Sequence, residues 1–270
     1  MAAVLCLSAL QARAQWPYEA PFVPSPQVVV DEMLRLAEVT KDDFVMDLGS
    51  GDGRILITAA VKFGARGIGV DLDETLIYQS EAAAQNAGVA ERVQFLRQDL
   101  FKTDLSKASV ITLYLLQKMN VRLRPHLLAL RPGTRIVAHD FDLGDWKPDF
   151  KTTVRKNVML WIVPANIHGH WRLNLPLPGG AQTWELDIRQ KYQEVDGVVR
   201  VAQQPPGGLW QAQLRGERVS FTLVDSTDRE NEAMMYFEGV IKGNVMEGEM
   251  RRGVGNKQTR HKWRAERFKP

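Results

Sequence analysis

Asp47, Gly49, Gly51 and Gly53 alternate within Phe44-Val-Met-Asp-Leu-Gly-Ser-Gly-Asp-Gly-Arg-Ile-Leu-Ile-Thr-Ala-Ala60, a spacing that can cradle a small ligand. The apolar run before them reads as a strand and the amphipathic run after them as a helix, so the glycines form the turn between. Glycine there allows positive φ and lets a ligand approach the main chain with no β carbon in the way, while the first N–H groups of the helix stay unpaired. Asp47, at the strand end, can accept a hydrogen bond from a ligand's ammonium group. Two more apolar runs end in acids: Gly67-Ile-Gly-Val-Asp71 and Val93-Gln-Phe-Leu-Arg-Gln-Asp99. Asp71 lies about twenty residues beyond the glycines, where a β-α-β nucleotide site keeps its ribose-binding carboxylate.

The spacing also argues about which nucleotide. The dinucleotide fingerprint needs a third glycine for close helix–strand packing beside a pyrophosphate. Arg54 occupies that position, which weakens a nicotinamide dinucleotide reading. Asp47-x-Gly49-x-Gly51-x-Gly53 instead resembles motif I of the class I S-adenosylmethionine-dependent methyltransferases, whose cofactor carries an amino acid and a sulfonium but no phosphate. The plain alternative is a tight strand–helix turn with no ligand, and three strand-end acids in succession argue against it.

The elements that must position these groups follow in order. With 270 residues and ordinary apolar and charged fractions, the chain can build one large or two smaller cores. A net charge of +3 neither requires nor excludes nucleic acid, which composition leaves an unlikely partner. The single cysteine, Cys6, excludes an internal disulfide framework and a cysteine zinc site. Residues 1–14 carry a short apolar run closed by Ala12-Arg13-Ala14, the pattern of a cleaved signal peptide, and predict a periplasmic or secreted protein beginning at Gln15. A cytoplasmic protein with an N-terminal arm is the alternative, and no stretch is long enough for a transmembrane helix.

Four prolines from Pro17 to Pro26 keep that segment extended, after which Ser25 is expected to cap a helix with Pro26 at its first position. Alternating strands and helices then run from Phe44 to His139 and predict an α/β fold, a Rossmann-like mostly parallel sheet with helices on both faces. Val158 to Val163 is expected to add an antiparallel edge. From Pro164 the pattern changes to period two, with seven or eight short strands at roughly ten-residue spacing, which predicts a smaller antiparallel β-barrel or sandwich. The expected domains are thus 15–163 and 165–268, the second of no assigned role.

Phe22-Val-Pro-Ser-Pro, Asp47-Leu-Gly-Ser-Gly-Asp-Gly-Arg, Asp99-Leu-Phe and Gly133-Thr-Arg-Ile-Val-Ala-His-Asp-Phe through Trp146-Lys-Pro are similar to a branch of that class. They resemble bacterial relatives of the mitochondrial lysine methyltransferases that modify the ATP synthase c subunit and the adenine nucleotide translocase. The resemblance implies S-adenosyl-L-methionine as cofactor, with Asp47, Gly49 and Gly51 at its amino-acid end, Asp71 on the ribose and Asp99 near adenine. Ser50, Gly53 and Phe22 complete the implied cofactor-binding set. It also implies transfer to a protein lysine, including one on a membrane-associated protein. The family more often has Glu where Asp71 stands, and the mitochondrial enzymes have no counterpart of residues 165–268.

Methyl transfer to nitrogen asks the protein mainly for orientation and desolvation, and needs no metal. Many amine and amide methyltransferases carry Asn/Asp-Pro-Pro-Tyr after the fourth strand, where this chain has Leu113-Tyr-Leu-Leu116. Tyr114 and His139 are the candidate polar groups for orienting or deprotonating an amine, with a core aromatic as the alternative for Tyr114. His168 and His170 lack metal-ligand partners and read as surface residues. Arg260, Lys262 and Arg264 line one face of a terminal strand, either as a solvated face or as a site for acidic lipid headgroups or nucleic acid. Beside the lysine methyltransferase stand a small-molecule methyltransferase and an exported binding module that keeps the cofactor fold without catalysis.

Overall fold

The structure is a computed structural model that describes residues 21–177, 180–202, 204–225, 233–253 and 258–269. The expected signal peptide and its cleavage site lie outside the described residues. The first sheet contains β1 (Phe44–Leu48), β2 (Arg66–Asp71), β3 (Val93–Arg97), β4 (Val110–Leu113), β5 (Arg135–His139), β6 (Phe150–Val154) and β7 (Lys156–Ile162). Helices α1 (Gln27–Leu36), α2 (Arg54–Phe63), α3 (Glu74–Asn86) and α4 (Gln117–Leu128) accompany it.

Strand order is β3-β2-β1-β4-β5-β7-β6, parallel except for the β7 pairings with β5 and β6. The direction of winding reverses between β1 and β4, so a crevice opens at their carboxyl ends. Period-two alternation divides the core. Val45, Val110, Val137 and Val158 face α1, α2 and α3, while Met46, Leu48, Ile111, Leu113 and Ile136 face α4 and Trp146.

Local chemistry explains most boundaries. Gly53 and Gly64 bracket α2 at φ 76° and 72°, a left-handed conformation that glycine adopts without steric cost. The Asp73 carboxylate accepts from the Thr75 and Leu76 N–H groups and starts α3. The expected Ser25 cap is corrected: α1 starts after Pro26 with no side-chain cap, because the Ser25 hydroxyl turns to His139 instead. Asp99 lies two residues past β3 rather than at its end, where its carboxylate accepts from Phe101 N–H and caps a short 3-10 turn, Leu100–Lys102.

The second sheet is antiparallel and runs through β8 (Gly169–Leu177), β9 (Gly180–Lys191), β10 (Glu194–Arg200), β11 (Gly207–Gly208), β12 (Trp210–Arg215), β13 (Arg218–Asp225), β14 (Ala233–Lys242), β15 (Val245–Arg252) and β16 (Thr259–Phe268). Its order is β11-β10-β9-β8-β16-β15-β14-β13-β12, and β10 comes back alongside β12, so the sheet is a nearly closed barrel. Inward residues such as Trp171, Trp184, Phe221, Phe237 and Trp263 fill it. Among the described residues the sheet has nine strands, more than expected, because β10 reads Glu-Val-Asp-Gly-Val-Val-Arg and hides its few apolar groups among charges. The cationic face of β16 is matched by acids on and beside it: Arg260 pairs with Glu249, and Arg264 with Glu247 and Glu266.

Two barrel turns dock on the first sheet. Ala165 N–H donates to Gly216 O across 2.8 Å at the β12–β13 turn. At the β9–β10 turn, Tyr192 stacks on the fully buried Trp146 at 5.7 Å, and the Trp146 indole N–H donates to Gln193 Oε1. Asp145 gathers Lys191, the Tyr192 hydroxyl and Arg124, which in that order hold its carboxyl down to about 2.

Candidate active site

A cavity opens at the carboxyl ends of β1, β2 and β4, and the described residues lining it all lie between 21 and 122, so none of the described barrel residues contributes. Its floor is the glycine turn. Gly49 and Gly51 take φ of 78° and 55°, and a β carbon on Gly49 would stand 2.7 Å from Leu115 Cδ2. Phe22 closes over Gly51 from the arm preceding α1. Asp71 Oδ2 accepts from Gly51 N–H at 2.9 Å and its Oδ1 from Asp73 N–H at 3.0 Å, so one carboxylate braces the turn and borders the cavity.

Six residues expected at a cofactor, Phe22, Gly49, Ser50, Gly51, Asp71 and Asp99, line the cavity together with Tyr114. Two do not. Asp47 is buried beneath the turn, 1% exposed, because it shares the face of Val45 rather than pointing along the strand. It accepts from Thr112 Oγ1 at 2.6 Å, and burial, with the Asp71 and Asp52 charges adding, pushes its carboxyl up to about 7. Its Oδ2 has no partner among the described residues, which leaves an acceptor open beneath the turn. Gly53 is set by packing: a β carbon there would collide with Phe95 and Ser80.

The cavity fits the nucleoside of S-adenosylmethionine on its own evidence. Leu72 and Phe22, 45% and 40% exposed, are large apolar side chains left uncovered at its wall, as a site for a flat aromatic ring requires. Asp71 and Asp99 supply acceptors for hydroxyl and amino groups. Ser50 Oγ is buried at the cavity and has no partner among the described residues, an orphan that a ligand's polar end would satisfy.

Behind one wall stands His139, 1% exposed and outside the lining. Its ring stacks on Tyr114 at 3.8 Å between centroids, and its Nδ1 lies 2.8 Å from the Ser25 hydroxyl. Nε2 has no partner among the described residues. Burial holds its pKa below the ordinary histidine value, with Asp140 opposing and Lys156 adding. Tyr114 and His139 thus come together, as part of a set that also includes Ser25. Sequence reasoning misses Ser25 in this role because a serine before a proline-started helix reads as a cap.

In the sequence Arg54 stands out only as a missing glycine. Its guanidinium pairs with Asp52 and donates to Ser25 O at 3.0 Å, tying the arm to the glycine turn. His168 is exposed, and no cluster able to hold a metal occurs among the described residues.

A doubly wound sheet with its cavity at the switch point, a glycine turn and strand-end acids defines a class I S-adenosylmethionine-dependent methyltransferase. Comparison with known proteins agrees. The family model for the ANTKMT methyltransferase domain matches residues 47–150. A protein-lysine N-methyltransferase of Saccharolobus islandicus is 42% identical over 130 residues, covering 47% of this chain and 81% of that protein. The mouse lysine N-methyltransferase named for the ATP synthase c subunit is 35% identical over 133 residues, covering 49% of this chain and 53% of its own. A Salinibacter ruber structure described as an RNA methyltransferase in complex with S-adenosyl-L-homocysteine is 49% identical, with a TM-score of 0.53, and matches 54% of this chain and 96% of that one. The chain belongs to the ANTKMT-domain family of S-adenosylmethionine-dependent methyltransferases.

Proposed function

We propose that the protein methylates the ε-amine of a lysine on another protein. The observation that carries this reading is the charge of the cavity: Asp52, Asp71, Asp73 and Asp99 line it against Arg54 and Arg122. Asp52 already neutralises Arg54, and the Arg122 guanidinium is laid over the Phe101 ring at 3.7 Å. An acidic mouth attracts a cationic side chain and repels a phosphate backbone, which an RNA substrate would bring. The relatives named as lysine methyltransferases support the same acceptor, and Leu113-Tyr-Leu-Leu116 offers no Pro-Pro-Tyr clamp for an amide or base nitrogen.

When bound, S-adenosylmethionine supplies an electrophilic methyl group on a sulfonium. The chain's own part is to place an amine in line and to keep water away. Phe22, Val23 and Leu115 form apolar walls around the turn, and Ser25 and Tyr114 are polar groups at the same cavity. For the natural setting, we propose export with cleavage after Ala14, supported by Ala12-Arg13-Ala14 and the short apolar run before it; mass spectrometry of the native N terminus tests it.

The function is tested by incubating the protein with radiolabelled S-adenosylmethionine and cell extract, divided into soluble and envelope fractions. Label should resist nuclease, be lost to protease and map to lysine. Label that follows RNA, or resides on small molecules, overturns the reading.

A further inference from the structure

The acidic lining that draws in a lysine also stabilises its ammonium form, and an ammonium has no lone pair with which to attack. A lysine site of this kind needs a proton acceptor, yet the aspartates at the cavity are committed elsewhere. Asp71 and Asp73 each bind two N–H groups, Asp99 one, and Asp52 the Arg54 guanidinium. Ser25 and His139 are not so committed.

We propose that Ser25 is a catalytic residue that passes the substrate's proton to His139, which acts through it. The inference rests on the lysine reading above. Ser25 borders the cavity with its hydroxyl 2.8 Å from His139 Nδ1, while His139 is wholly behind the wall. Arg54 fixes the Ser25 carbonyl, so the hydroxyl has a defined place. One proton moves from the ammonium to Ser25 Oγ as the Ser25 hydroxyl proton moves to His139 Nδ1. The amine becomes neutral, the imidazole cationic, and the net charge of the site is unchanged. After transfer, the nitrogen–methyl bond has formed, the sulfonium carbon–sulfur bond has broken, and the product leaves as a methylammonium. The proton on His139 returns to solvent through Ser25 once the methylated lysine has left.

The surroundings suit a base that is neutral at rest. The groups facing the imidazole are Ser25, the Tyr114 ring stacked on it, Asp140 next in the chain and Lys156, which pairs with Asp140 at 3.0 Å. Burial favours the uncharged ring, and the transient imidazolium lies against the Tyr114 π face. His139 therefore loses its proton readily when the cavity is refilled.

The test uses the full chain, Ser25→Ala, Ser25→Thr and His139→Asn, with the labelled extract as acceptor and S-adenosylhomocysteine as calorimetric probe. Ser25→Ala and His139→Asn are expected to lower the lysine methylation rate about a hundredfold near pH 7, with affinity for S-adenosylhomocysteine within about threefold of wild type. Ser25→Thr restores the rate. The deficit of Ser25→Ala shrinks as pH rises toward the lysine pKa of about 10.4, because free amine then arrives already deprotonated. In wild type with S-adenosylhomocysteine bound, nitrogen NMR of His139 gives a titration midpoint that matches the acidic limb of the rate profile.

A Ser25→Ala deficit that is constant with pH, a mismatch of those midpoints, or a loss of cofactor affinity equal to the loss of rate each overturns the relay. The last would make Ser25 only an anchor of the arm. Wild-type protein that labels lysine while Ser25→Ala keeps its full rate overturns the relay alone. Wild-type protein that labels no lysine removes the function reading and the relay together.

Discussion

The ring of Phe22 rests on Gly51 so closely that a β carbon there would overlap its edge, while the Gly51 N–H is held by Asp71 from the other side. Gly51→Ala must therefore displace Phe22 and also adopt φ near 55°, a left-handed conformation that costs roughly 1–2 kcal/mol. Affinity for S-adenosylhomocysteine should fall at least about tenfold, as read by calorimetry. Phe22→Ala combined with Gly51→Ala should recover part of that loss, since the overlap is then relieved.

Asp71→Asn removes the carboxylate that accepts from Gly51 N–H in the glycine turn and from Asp73 N–H just beyond β2. Hydrogen bonds to a charged group contribute about 1.5–3 kcal/mol, so cofactor affinity should fall roughly ten- to a hundredfold. Unchanged affinity would show that Asp71 is not a cofactor ligand.

Asp47 sets a pH dependence of stability. Its carboxyl is raised from 3.8 to about 7 in the fold, chiefly by burial. The native state holds the proton more tightly than the unfolded chain, so this contribution is full below 3.8 and is lost as pH rises through about 7. Urea melts of wild type and Asp47→Asn should show the variant losing less stability between pH 5 and pH 8. Parallel curves would mean that Asp47 is ionised in the fold.

The barrel should be separable from cofactor binding. No described residue beyond 122 lines the cavity, and the Salinibacter ruber relative matches only 54% of this chain while being covered over 96% of its own. Protein ending at Pro164 is expected to bind S-adenosylhomocysteine, with lower stability because Trp146 loses Tyr192 and Gln193. In the full chain, Tyr192→Ala should cost about 1–2 kcal/mol and let the two sheets melt at different denaturant concentrations. A single unshifted transition would refute that docking role.

The doubly wound sheet was legible because its signals are local: Gly53 and Gly64 mark α2, and uninterrupted apolar strands alternate with amphipathic helices. The change to period two after Pro164 marked the barrel for the same reason. Asp71 and Asp99 could be placed at the crevice from chain order, but the burial of Asp47 against Thr112 could not be read there, because it depends on which strand pairs with β1. Ser25 and His139 are separated by 114 residues, and no local pattern links them. Strand β10 escaped because its sequence carries Gly197 and three charges where a strand signal needs apolar alternation.

Arg54 joins two properties that a sequence comparison would treat as separate. By replacing the third glycine it removes the close packing on which a pyrophosphate site depends, and the same guanidinium fastens the arm bearing Phe22 and Ser25 over the turn. A mutation that restores glycine at this position would not simply convert the cradle toward a dinucleotide. It would release the roof at the same stroke, leaving an intermediate fit for neither ligand. One side chain thus serves both the shape of the cradle's floor and the seating of its roof, so the two cannot be altered separately at this position.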